Sequence, residues 1–470
     1  MSVIRYTNDT KKPCQTKAKI DASADAMMEF GETSFDILSM LEAHIQKPRE
    51  KTQKFSLGKP KTHNFFLPSF YQCSECIMGM PFNKLIEFME EQQGRKLRIS
   101  RNSRSAMFNK GVGNPTAKKF IEWLKPVIAK FSREIDLRTT EIFKRGAVDT
   151  STSGDWLCLM AGIRTSESFH DPYVISEYYP LFVFLEERCD INIEMIKVIK
   201  GRVDSGAICS ESSAEVFSAM RTYWHNCTEI PDSAFENYQR SLFLYEDGRF
   251  DDECKLSLFK SYFHLHFDFF FNLFSSYEVG CVITYTPNRD ELKTKNGILC
   301  RSITRFVKKS KLEKYNLTCF GELLEEIRDV ISKINKENNC KELSKREMSM
   351  SLPMVLDPIN PSEESDADRH YKKFKSWQSG KEFPTMQSVE TFLDNLTKDL
   401  GQANNTQITL LCMMAIWLDK EIMKCHETLL KSKEIDTVEP IVDGLFAAIG
   451  RYEVYYRHHL QKHMNRIAGV

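Results

Sequence analysis

Residues 261–277 read SYFHLHFDFFFNLFSSY, an aromatic run without Gly or Pro that also holds two histidines and an aspartate. On a strand, side chains alternate between faces, so His264, His266 and Asp268 would share one side and could converge on a metal. On a helix each residue turns by about 100°, so His266 points about 200° away from His264. Only His264 and Asp268, four residues apart, then remain neighbours. The flanks KLSLFKSY and FFFNLFSS carry no helix breaker, and Phe269 stands where an H-x-H-x-D-H metallohydrolase has a further His. The expectation is one continuous aromatic helix, buried in a core or against a partner, with a local His264–Asp268 hydrogen bond.

Such a helix needs a large body to cover it. The chain has 470 residues, 41% of them hydrophobic with 32 Phe and 16 Tyr, enough for two or three lobes. Only 20 Gly and 16 Pro set against abundant Lys, Glu, Leu and Met tilt the chain towards helix. The expected fold class is mainly α, a two-lobed helical protein with a flexible N-terminal arm and an extended Pro-rich interlobe loop.

Residues 1–62 read as the arm, with one short helix that starts at Thr33 and carries Phe35, Leu38, Leu41 and Ile45 on one stripe. Residues 63–340 form the main helical lobe, with helices expected at 178–200 and 212–225 and one opening at Asn114-Pro115-Thr116. That helix would carry Phe120, Leu124, Val127, Ile128, Phe131 and Ile135 on its apolar side, with Pro126 kinking it. VGCVITYT at 279–286, β-branched and followed by Pro287, is the best strand candidate.

Residues 341–384, with Pro353, Pro358, Pro361 and Pro384 around an acidic cluster, read as the extended loop. Residues 385–470 form the C-terminal helical lobe. A helix from about Thr385 has the stripe Val389, Phe392, Leu393, Leu396 and Leu400, with Gly401 at the C-cap position. Residues 406–431 are apolar almost all round at their start and should be central, and a last helix covers about 438–466.

The charges are more informative than their sum. Basic and acidic residues balance at 65 each, so there is no global polyanion signal. Yet QQGRKLRISRNSRSAMFNKGVGNPTAKK, residues 92–119, carries Arg95, Lys96, Arg98, Arg101, Arg104, Lys110, Lys118 and Lys119 and no Asp or Glu. That composition suits an irregular loop along a phosphate backbone, with Arg forks on phosphate oxygens and Phe108 available for base stacking. It also suits a solvated loop, a nuclear-import signal or a dock for an acidic protein. Arg301, Arg305, Lys308, Lys309 and Lys311 form a second basic set, and Arg457, His458, His459, Lys462, His463 and Arg466 a third.

Other motifs are weak. Cys73-Ser-Glu-Cys76 is a lone C-x-x-C with no second ligand pair nearby, and His459-x-x-x-His463 lacks the Glu of a zinc hydrolase. No phosphate-binding glycine loop and no nucleophile elbow occurs, so no cofactor is expected. The start, MSVIRYTNDTKKPC, has no apolar signal core, and the 14 cysteines are scattered. A reducing cytoplasmic or nuclear setting without a membrane span is expected.

Together these features point to a sequence-tolerant RNA-binding structural protein. The basic loop would grip single-stranded RNA or another polyanion, and arms would join copies into a homo-oligomer. In general plan (two helical lobes, a basic loop, exchangeable arms) this is similar to viral nucleoproteins, a nucleocapsid-like design that no motif secures. The alternative is a non-enzymatic helical adaptor whose basic loop docks an acidic protein.

Overall fold

Asp251 opens the longest helix: it lies in extended backbone and its side chain accepts the N–H of Cys254 at 2.8 Å. From there the chain runs helical from Asp252 to Tyr285, about 51 Å at 1.5 Å per residue. In the computed structural model, residues 172–468 are described except for 210–211, 226, 250, 287–290, 293–295, 311–317, 355–364, 399–404 and 432–438. Before residue 172, 65–68, 94–109 and single positions between 73 and 156 are described. The described residues are mainly helical.

In chain order, α1 is Arg101–Asn109, α2 Pro172–Asp204, α3 Ser213–His225, α4 Asp232–Glu246 and α5 the long helix Asp252–Tyr285. Then come α6 Ile298–Ser310, α7 Cys319–Glu337, α8 Lys345–Ser349 and α9 Asp366–Gln378. The chain continues through α10 Met386–Thr397, α11 Thr406–Lys431, α12 Glu439–Ile449 and α13 Tyr452–Ala468.

Helix α5 is the axis of the molecule. From Phe267 to Cys281 every residue is buried, so the helix is covered on all sides, by α2, α4, α11, α12 and α13. Each buried Phe adds about 1.5–3 kcal/mol of apolar transfer free energy, which explains how an all-round aromatic helix is tolerated. Close approach depends on Gly280, where a Cβ would lie 1.8 Å from the Glu177 carbonyl of α2.

The expected strand at 279–286 is instead the last turns of α5. Val279, Val282, Ile283 and Thr284 have modest helix propensity, a deficit of a few tenths of a kcal/mol per residue. Extending an existing helix into a packed environment outweighs it.

The segment 341–384 is likewise not one extended loop. Ser344 and Glu347 make a reciprocal capping box that starts α8, and Ser365 caps α9 by accepting the N–H of Asp368. Phe374 and Trp377 of α9 reach the core, with Trp377 against Phe392 of α10 at 5.9 Å. Pro353 and Pro384 lie outside both helices, and Pro358 and Pro361 lie outside the described residues. The expected final helix at 438–466 is two, α12 and α13, joined through Gly450 and Arg451.

Other boundaries agree closely with expectation. Thr385 caps α10 through the N–H of Ser388, with Val389, Phe392 and Leu393 buried beneath. Cys412 to Leu418 of α11 are buried without interruption. The arm 1–62, Leu400, Gly401 and the stripe beyond Trp123 lie outside the described residues.

One apolar cluster runs from Phe66 to Leu460, so position 385 does not separate two cores. Trp417 of α11 lies 4.1 Å, ring to ring, from Phe270, and Tyr452 and Tyr455 of α13 pack edgewise on Phe271.

Two buried carboxylates fix neighbouring helices to this core. Glu278 of α5 accepts the N–H groups of Leu299 and Cys300 at the start of α6, and the Tyr452 hydroxyl at 3.1 Å. Asp419 of α11 accepts the N–H groups of Cys319 and Phe320 at 2.7 and 2.9 Å, at the start of α7. Each supplies acceptors to donors that a helix start leaves open.

Burial pushes both carboxyls up to about 7, against the pull of those N–H groups. An aspartate whose folded value exceeds its unfolded one holds its proton longer when folded, so its contribution falls as pH rises through that interval. Asp419→Asn, which does not titrate, should therefore cost more stability near pH 5 than near pH 7.5. Denaturant melts of both proteins at the two pH values measure this, and a cost independent of pH would contradict the assignment. His264, which burial lowers to about 4, has the opposite sign, and it cancels in the comparison of the two proteins.

Candidate nucleic-acid interface

The basic segment is built on a carboxylate. Glu90 is 9% exposed; its Oε1 accepts the Leu97 N–H at 2.6 Å and an Arg104 guanidinium N–H at 2.5 Å. Its backbone carbonyl accepts the Arg95 N–H at 3.2 Å, and Arg104 also donates to the Leu97 carbonyl at 2.8 Å. From the other side Trp123 Nε1 donates to the Arg95 carbonyl at 2.9 Å. Leu97, Met107, Phe120 and Trp123 are buried beneath. Gly94, at φ +58°, makes the turn into the segment, a conformation that other residues adopt at a cost.

The stretch 92–119 is thus not one irregular loop. Ser100 accepts the Ser103 N–H at 3.1 Å and caps α1, which occupies Arg101–Asn109. Ahead of it, residues 94–100 form a turn held through Arg95, Leu97 and Ser100.

Clamping sorts the cations. Arg104 is consumed by the clamp: its charge faces Glu90, so it is a structural residue. Arg95, Lys96, Arg98, Arg101, Lys118 and Lys119 are exposed, and none of these six makes an ion pair among the described residues. Lys118 and Lys119 belong to the helical stretch containing Phe120 and Trp123, whose indole holds Arg95, so both sets share one scaffold. Lys110 lies outside the described residues, and the side chain of Phe108 is not described.

The second basic set is corrected. Helix α6 lies on α7, where Arg301 pairs with Glu326 at 2.8 Å, Arg305 with Glu326 at 2.5 Å and Lys309 with Glu322 at 2.6 Å. These residues neutralise buried carboxylates, leaving Lys308 exposed and without an ion pair among the described residues; Lys311 lies outside them. The third set is also taken up: His458 pairs with Glu229 at 2.7 Å, Lys462 with Glu187 and Arg457 with Glu453 at 3.9 Å. His459 and His463 are buried.

The histidines of the aromatic run take structural roles. His266 stacks on Tyr262 and approaches Glu421 at 3.5 Å. The expected His264–Asp268 hydrogen bond is replaced. Asp268 Oδ2 accepts both terminal nitrogens of Arg188 at 3.1 Å, and Oδ1 accepts the Tyr455 hydroxyl at 3.0 Å. Asn272 donates to the same aspartate, and its Oδ1 lies 3.0 Å from His459 Nε2. This seam joins α2, α5 and α13 inside the core. Among the described residues no cluster of His, Cys, Asp or Glu could hold a metal ion; Cys73 is buried and Cys76 lies outside them.

Glu90, Arg188, Glu278 and Asp419 belong to no sequence motif. A local signal exists for Glu278, a lone charge in SSYEVGC, and for Asp419, the first charge after the apolar run MMAIWL; Glu90 in FMEEQQ and Arg188 in LEERCD stand among other charges, and nothing local sets them apart.

No protein family, curated protein or solved structure matches the chain. Among the described residues no helix is long and apolar enough to cross a membrane.

Proposed function

We propose that the protein binds single-stranded RNA through its phosphate backbone, with little dependence on sequence. The observation that carries this is the contrast among its cations: Arg301, Arg305 and Lys309 of α6 and Arg457, His458 and Lys462 of α13 are matched by carboxylates, whereas Arg95, Lys96, Arg98, Arg101, Lys118 and Lys119 are exposed on one clamped scaffold and make no ion pair among the described residues. Unmatched surface charge raises the energy of the isolated protein and is relieved by a polyanion. A turn already held by Glu90 and Trp123 also loses little conformational entropy on binding.

The backbone is contacted without reading bases, because phosphates carry no sequence information. Assembly of copies through the 1–62 arm, as in a nucleocapsid, rests on residues outside those described.

Arg95→Ala, Arg98→Ala and Arg101→Ala together should weaken binding to unrelated single strands about equally. They should also reduce the slope of log K against log salt by about 2, from roughly 0.7 per phosphate contact. Fluorescence anisotropy across a salt series measures both. Unchanged affinity would reject the interface. Arg104 is left in place, since its loss would undo the Glu90 clamp as well.

A further inference from the structure

An apolar groove of about 260 Å³ lies between the C-terminal half of α2 and α3, lined by Met195, Ile196, Ile199, Val203, Val216 and Met220. It carries polar groups only at one end, Lys200 and Asp204. Small-molecule sites usually offer roughly 300–1,000 Å³ with several converging polar groups, so this groove is better suited to aliphatic and aromatic side chains.

We infer that residues 33–45 of the same chain dock here as an amphipathic helix. Two observations select this occupant. The first is where the chain enters the described structure. Phe66 stacks on Trp224 at 5.6 Å, and its carbonyl accepts from Arg188. Trp224 lies one helical turn beyond Met220 on α3, so Phe65 and Phe66, where the described residues begin, sit beside one end of the groove. The 19 residues between Ile45 and Phe65 span up to about 60 Å, whereas Trp224 to Val216 is about 12 Å along the helix.

The second is charge. Along the α2 flank, Lys197, Lys200 and Arg202 make no ion pair among the described residues, against Glu194 and Asp204. TSFDILSMLEAHI carries Asp36 and Glu42 and no Lys or Arg, and it offers Phe35, Leu38, Leu41 and Ile45 at helical spacing. The competing amphipathic stretch, 125–135, carries Lys125, Lys130 and Arg133 against Glu134 and would add like charge.

The full-length chain with Phe35→p-benzoylphenylalanine tests this. It is irradiated as an equal mixture of light and ¹⁵N-labelled protein, and cross-linked peptides are mapped by mass spectrometry. Docking within the chain gives links to peptides spanning 195–220 that are uniformly light or uniformly heavy. Adding Leu38→Asp and Leu41→Asp should remove at least nine-tenths of them while helical circular dichroism is kept.

Mixed light–heavy links would assign the groove to the arm of a second copy and overturn docking within one chain. Links elsewhere, or none, would overturn the occupant altogether. So would links from Val127→p-benzoylphenylalanine to the groove in place of those from position 35.

Discussion

Replacing Arg188 by Ala should lower the free energy of unfolding by about 3–5 kcal/mol, because it strands a buried carboxylate. Arg188 is 2% exposed and both its terminal nitrogens contact one oxygen of Asp268, itself 2% exposed. Burial already pushes the Asp268 carboxyl up, and the guanidinium is the principal force opposing that push. The Arg side chain also lies over the Phe66 ring at 4.5 Å and spans the Phe184 face, so truncation loses packing as well as charge.

Guanidinium melts give the cost directly. A loss within about 0.5 kcal/mol would show that water reaches Asp268 and that the seam is not dry. The pair itself need not be net stabilising. Arg188→Met with Asp268→Leu removes both charges, and it should recover much of what Arg188→Ala loses.

Phe271→Ala should cost about as much, roughly 3–5 kcal/mol, through a cavity instead of a charge. Phe271 is 1% exposed, stacks on Phe267 at 5.2 Å and receives Tyr452 and Tyr455 of α13 edgewise at 5.4 and 5.7 Å. Those tyrosines donate to Glu278 and Asp268, so a collapsing cavity would also displace two buried hydrogen bonds. Hydrogen exchange should then rise first in α13. Phe243→Ala, at a position 42% exposed, is the control and should stay within about 0.5 kcal/mol. Equal losses at both positions would contradict the central place of α5.

Much of the helical architecture is legible in the residues. Thr385 and the stripe Val389, Phe392 and Leu393 announce α10, because a cap and a 3.6-residue period are local signals. The same local chemistry, at Ser344 with Glu347 and at Ser365, announces α8 and α9 within a Pro-rich stretch. The end of α5 was not legible, since VGCVITYT is strand-like in composition and is held helical by neighbours distant in sequence.

The basic site divides the same way. That 92–119 holds eight cations and no acid is visible at once. That Arg104 answers Glu90 while Arg95, Lys96, Arg98 and Arg101 answer nothing among the described residues is not.

By itself the sequence determined that the chain is helical and that 261–277 must be buried. Caps, periodicity and the absence of breakers act over a few residues and so are readable locally, although packing outweighs local preference at the end of α5. Only the tertiary structure decided what each charge does. Arg305, with carboxylates on α7, and Arg98, exposed, are indistinguishable as letters. Coulomb energy depends on distance and burial, and both are set by helices whose positions in the chain lie far apart.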